Sequence, residues 1–185
     1  MENHPVQQLV DEHRYIMAVV RFLETLPPGL SRGAPLDTGL LRQVVSFMRE
    51  FADHCHHAKE EDQLFPALVA AGAPESGCPI GGLKGEHARG RQLVGALEQA
   101  LERVGSDEQQ ARCEIQEAIA GIVKLYPDHI WKEDQMVFPM ADRLLGSDQL
   151  AALEEGFNQV ERQHHDAHHR HIAFALELEQ RLLDA

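Results

Sequence analysis

His56-His57-Ala58-Lys59-Glu60-Glu61-Asp62-Gln63-Leu64-Phe65-Pro66 decides the fold, because its second part returns later in the chain as Lys132-Glu133-Asp134-Gln135-Met136-Val137-Phe138-Pro139. The two octets from Lys59 and from Lys132 align without a gap, which pairs Glu60 with Glu133 and, four residues upstream, His56 with His129. A histidine and a glutamate four residues apart share one face of a helix. Apolar residues around both copies recur at three- and four-residue spacing, the helical period.

Outward from the repeat, Gly and Pro fall in clusters that divide the chain into five predicted helices. The first runs from about Val6 to Leu26 and is stopped by Pro27-Pro28. The second is capped by Asp37 or Thr38 and reaches about Ala71, with a kink at Pro66. The third begins near Leu83 and ends before Gly105. The fourth is capped by Ser106 and reaches about Leu145, bent at Pro127 and Pro139. The fifth is capped by Ser147 and continues to the C-terminal end with Gly156 as its only breaker. The expected fold is all-α: an up-down-up-down four-helix bundle over residues 1–145, with residues 146–185 as an additional helix beside or beyond it in the same domain.

The seams of these helices lead to histidine. The first carries Leu9, His13, Ile16, Val20 and Leu23; the second Val45, Met48, Ala52, His56, Glu60 and Leu64. The third carries Leu83, His87, Gly90, Val94, Leu97 and Leu101; the fourth Ile115, Ala118, Ile122, Leu125, His129, Glu133 and Met136. One such histidine is an ordinary hydrogen-bonded core residue. Four, on four seams, with two glutamates beside them, are costly to bury unless paired or bound to a metal. Lys59 and Lys132 stand about 100° off the seam on a regular helix, and so do His57 and Glu61. His57 is therefore expected beside the ligands or at the surface, with His57–Glu61 as the competing pair.

The ordered motifs Asp11-Glu12-His13, His56-His57-Ala58-Lys59-Glu60-Glu61 with Leu64-Phe65-Pro66, Glu86-His87 with Gly90-Arg91, and His129-Ile130-Trp131-Lys132-Glu133 with Phe138-Pro139 resemble the hemerythrin-like, or HHE cation-binding, family. The resemblance covers residues 8–145. It implies a four-helix bundle around two non-haem iron ions, with His13 and His56 on one, His87 and His129 on the other, Glu60 and Glu133 bridging, and an oxo or hydroxo bridge completing the core. Each iron would keep an open position for a small ligand such as O2, NO or peroxide. Oxygen-carrying hemerythrins place a further histidine one turn away on the third helix, where this chain has Leu83 and Arg91. That departure favours sensing, scavenging or iron-centre repair over oxygen carriage, with a non-catalytic iron-sensing or storage module as the alternative. Glu86 could add an oxygen ligand, Tyr126 could donate a hydrogen bond or bind metal, and Trp131 and Phe138 are expected to wall the centre.

Composition narrows the partners. Thirty acidic against 17 basic residues give a net charge of −13 over 185 residues, which repels phosphate backbones and anionic lipid. No apolar run approaches the roughly 20 residues that span a bilayer. Neither nucleic acid nor membrane is an expected partner, and a cytoplasmic location is expected; a second copy of the chain or a redox partner is compatible with the sequence, which specifies neither. Cys55, Cys78 and Cys113 lack a CxxC spacing and read as reduced thiols, Cys55 as packing and Cys78 as exposed. Among the 12 histidines, His164, His165, His168, His169 and His171 cluster on the last helix. They read first as a polar face, then as a second metal site through their i,i+4 pairs or as a pH-sensitive surface. Glu161 with His164 is half of a ferritin-type ExxH pattern without its partner.

Overall fold

Proline has no amide hydrogen and crowds the carbonyl four residues before it. In both copies of the repeat the helix widens just ahead of its Phe-Pro pair: the Phe65 N–H donates to the Glu60 carbonyl and the Phe138 N–H to the Glu133 carbonyl, each five residues back. Each glutamate thus opens a π-helical turn, a distortion that concentrates at functional sites.

A computed structural model describes residues 5–26 and 30–184; Pro27-Pro28, the expected stop of the first helix, lie outside the described residues. In order, the elements are α1 (Pro5–Thr25), a 3-10 turn (Leu30–Arg32), α2 (Thr38–Phe47), π-helical stretches Met48–His57 and Glu60–Leu64, α3 (Phe65–Ala70), α4 (Ile80–Arg103), α5 (Glu108–Lys132), the π-helical turn Glu133–Val137, α6 (Phe138–Leu144), α7 (Ser147–Gln163) and α8 (His165–Leu183). There is no strand among the described residues, and none of their helices is long and apolar enough to cross a membrane. The chain is all-helical.

Asp37 caps α2 by accepting from the Leu40 N–H, as its residue type favours. Two expected caps shift by one residue. Asp107 rather than Ser106 caps α5, and Gly146 rather than Ser147 starts α7, its N–H bonded to the Gln149 side chain. The fifth predicted helix is two, broken at His164.

α1 packs on α5 and on the Met48–His57 stretch, and α4 packs on α5, on α2 and on that same stretch, closing a ring of long helical segments. Two apolar clusters lie inside it. One contains Ile16, Val20, Met48, Ala52, Val94, Leu97, Ile122 and Tyr126; the other contains Leu9, Leu64, Phe65, Leu83, Val137, Phe138, Leu153 and Phe157. On every seam the chain passes from one cluster to the other at a histidine, so the polar layer is sandwiched between two apolar ones. α7 supplies Leu153 and Phe157 to one cluster and α8 supplies Ala175 and Leu178 to the other. The break at His164 falls between those two contributions.

The predicted seams are buried with one clear exception. Met136 is 40% exposed and Val137 takes the interior position, because the π turn from Glu133 needs a step of four residues where a regular helix takes three. The same widening along 48–57 brings His57 and Lys59 inside, contrary to the 100° offset expected of them, and buries Cys55, as its packing role requires.

Candidate metal centre

His13 comes from α1, His56 and Glu60 from the π-helical stretches, His87 from α4, His129 from α5 and Glu133 from the following π turn; all six are buried. Donor atoms of His13, His56, Glu60 and Glu133 lie within 4.8 Å of one another, and those of His57, His87 and His129 do so as well. Each glutamate faces both histidine pairs. Glu133 Oε2 is 3.2 Å from His13 Nε2, while its Oε1 is 3.2 Å from His129 Nε2 and 3.4 Å from His87 Nε2. Glu60 Oε1 is 3.7 Å from His56 Nε2 and its Oε2 is 3.4 Å from His87 Nε2. Ring centroids stand 4.7 Å apart for His13–His56 and 4.8 Å for His87–His129.

Both oxygens of Glu60, Glu133 Oε2 and His129 Nε2 are buried with no hydrogen-bond partner among the described residues. They sit at ion-pair distance from their neighbours without hydrogen-bond alignment. Buried polar atoms are almost always paired, and carboxylate oxygens facing imidazole nitrogens are the donor set of a transition-metal site. The residues fit a metal.

Behind the rings stands a second layer. His13 Nδ1 faces Asp134 at 2.8 Å, His56 Nδ1 faces Glu12 at 2.9 Å, His87 Nδ1 faces Glu61 at 2.6 Å and His129 Nδ1 faces Glu86 at 3.1 Å. Each carboxylate fixes its imidazole with the proton on Nδ1 and the Nε2 lone pair inward, the outer-layer device of metal-bound histidine. Lysines brace two of the three glutamates: Lys59 donates to Glu12 and Lys132 to Glu86. Glu86 is therefore occupied holding His129.

These contacts extend the repeat. Glu12-His13 corresponds to Glu86-His87, and the seam Leu9, His13, Ile16, Val20, Leu23 matches Leu83, His87, Gly90, Val94, Leu97 position for position. Reading the first and third helices against each other, as the second and fourth were read, would have found Glu12 and Glu86.

Burial opposes a charge on His13, but Asp134 and Glu133 outweigh it and push this imidazole up to about 10; Glu133, Glu60 and Glu61 likewise push His87 up to about 11 against the burial term. Burial favours protonating Glu133, yet His129, His13 and His87 hold its carboxyl well below the usual range. In the metal-free chain, protons on these two imidazoles balance the glutamates at neutral pH. A cation must displace them, so affinity is expected to rise with pH until about 11, with about two protons released on full loading. Calorimetry in buffers of different ionisation enthalpy measures that release.

One expected role changes. Trp131 is 59% exposed and walls nothing, whereas Phe138 stacks on His13 at 5.4 Å. Tyr126 is buried edge-on to His129, 6.2 Å between centroids, and a Cβ at Gly90 would come within 3.2 Å of its hydroxyl oxygen. The histidines of the last helix divide: His168 stacks on Phe51 and faces Glu12, His171 is buried against Phe47 and Glu50, and exposed His165 and His169 pair edge-on. Glu161 accepts from Lys59, which accounts for it outside any ferritin-type pattern.

The family described as hemerythrin HHE cation binding domain has a model that matches residues 4–141 and, a second time, residues 79–185. Uncharacterized proteins of Mycobacterium bovis (Mb2018) and Mycobacterium tuberculosis (Rv1995) are each 26% identical over 121 residues, 65% of this chain and 47% of theirs. The chain thus spans about half the length of these curated relatives.

Proposed function

The chain belongs to the hemerythrin HHE cation-binding family, and on that premise we propose that it is an up-down-up-down four-helix bundle holding two iron ions that bind or reduce O2, NO or peroxide. His13 and His56 would hold one ion, His87 and His129 the other, with Glu60 and Glu133 bridging. The observation that carries this reading is the split of each buried glutamate between two histidine pairs.

Charge supports bound cations. Glu60 and Glu133, with the carboxylates facing imidazole Nδ1 (Glu12, Asp53, Glu61, Glu86 and Asp134), make seven negative charges; Lys59, Lys132 and Arg91 paired with them make three positive ones. With Glu161, the second partner of Lys59, the excess is five negative charges, which favours multivalent cations among these residues.

When bound, iron supplies redox change and Lewis acidity toward a small ligand. The chain's own part is orientation and exclusion. The Nδ1 carboxylates hold the rings, Phe138 covers His13, and burial of every proposed ligand keeps bulk water and large substrates out. A cavity of about 40 Å³ bounded by Asp53, His57, Gly90, Arg91 and Tyr126 suits a molecule of a few atoms. The thiols of Cys55, Cys78 and Cys113 are free, which supports the cytoplasmic reading.

The test is peroxide consumption by the reduced, iron-loaded chain supplied with ascorbate. Many equivalents consumed per centre are expected. A single equivalent or less, with a spectral change on ligand binding, would instead favour an iron-sensing or storage module.

A further inference from the structure

A fifth imidazole shares the burial and the outer carboxylate of the other four. His57 is fully enclosed, its Nδ1 faces a carboxylate, Asp53, at 3.3 Å, and its other nitrogen is the one free to face inward. One nitrogen each from His57, His87 and His129 lies within 4.8 Å of the others.

The repeat shows that this feature is one-sided. His57 aligns with Ile130 and Asp53 with Tyr126, so the opposite half has neither the ring nor its carboxylate. Arg91 reinforces the same side: its guanidinium donates at 2.7 Å to Asp53 and at 2.7 Å to Glu61, bracing the acceptors of His57 and His87 together. Its counterpart on α1 is Met17.

We propose that His57 coordinates one cation together with His87 and His129, leaving the other to His13 and His56, so that the two positions are unequal. This rests on the metal-centre reading above. The third imidazole comes from the helix that carries His56, which the π-helical stretch allows by turning two consecutive histidines inward. His57 stacks on His87 at 3.8 Å, so sharing one ion would require that pair to open by about 1 Å, toward the 4.8 Å between His87 and His129.

The experiment is an anaerobic Co2+ titration of the metal-free full chain, wild type against His57→Ile, the residue its repeat partner carries. The wild type is expected to fill in two resolved steps. In His57→Ile the first step weakens at least about tenfold, the second is unchanged and two ions still bind. Superimposable isotherms would overturn the proposal. A wild-type chain that takes up no cobalt would overturn the metal-centre reading itself. If His57→Ile loses its helical circular dichroism, 15N-histidine spectra of the wild type with Zn2+ decide. His57 Nε2 shifting with His87 and His129 at the first equivalent supports coordination; His57 unmoved while those two shift contradicts it.

Discussion

Replacing Glu60 with leucine is expected to reduce the chain from two bound cations to at most one, and to abolish peroxide consumption. Glu60 is one of the two carboxylates whose oxygens divide between the histidine pairs, so losing it removes a donor from both positions at once. Leucine fits the apolar cluster that already holds neighbouring Leu64, so the fold should survive. Asp134→Asn provides the contrast. It touches only the Nδ1 side of His13 and should keep both cations while weakening affinity about 10- to 100-fold. Metal analysis after dialysis against a weak chelator separates the two variants.

The second large effect concerns stability. Lys59 is fully buried, donates to Glu12 and Glu161, and lies 5.8 Å from the Phe157 ring centroid. Burial favours a neutral Glu12, but hydrogen bonds from His168 and His56 and the Lys59 charge keep its carboxyl well below the usual range. Lys59→Met removes the cation and leaves the carboxylate buried, which is expected to cost about 3–5 kcal/mol in urea unfolding of the metal-free chain. Glu12→Gln in the same background removes the stranded charge and should recover much of that loss. The sign with pH follows from Glu12: its contribution is present above its ordinary value near 4.5 and fades as the solution is acidified through the depressed one. Lys132 and Glu86, the matching pair, are partly solvated, and Lys132→Met should cost much less.

The difference between these pairs comes from the last two helices. α7 and α8 lay Glu161, Phe157 and His168 over the Glu12–Lys59 side, and among the described residues nothing equivalent covers Glu86. The break at His164 lets one helix reach each apolar cluster. No Gly or Pro marks that break, so a reading based on breakers runs the helix straight through it.

The HxxxE pairs and the ungapped repeat made His56, His129, Glu60 and Glu133 legible from residue spacing, and the apolar seams of the first and third helices added His13 and His87. What hid His57 and Lys59 was the assumption of 3.6 residues per turn. The signal was present in Met48, Ala52, His56, Glu60 and Leu64: successive steps of four advance about 40° each on a regular helix, about 160° in all, and would carry Leu64 off the seam. That all five are buried requires wider turns, and wider turns bring His57 in. Trp131 was misplaced by residue type, since a large aromatic beside a ligand reads as a wall; its direction on α5 takes it outward.

The measurement that bears most directly on the central claim is iron content with an ultraviolet–visible spectrum, on chain purified without added metal and reconstituted anaerobically with Fe2+. About two irons per chain, with charge-transfer bands on oxidation that disappear in Glu60→Leu, are the predicted result. One ion per chain, or none after reconstitution, would contradict a carboxylate-bridged pair between these helices.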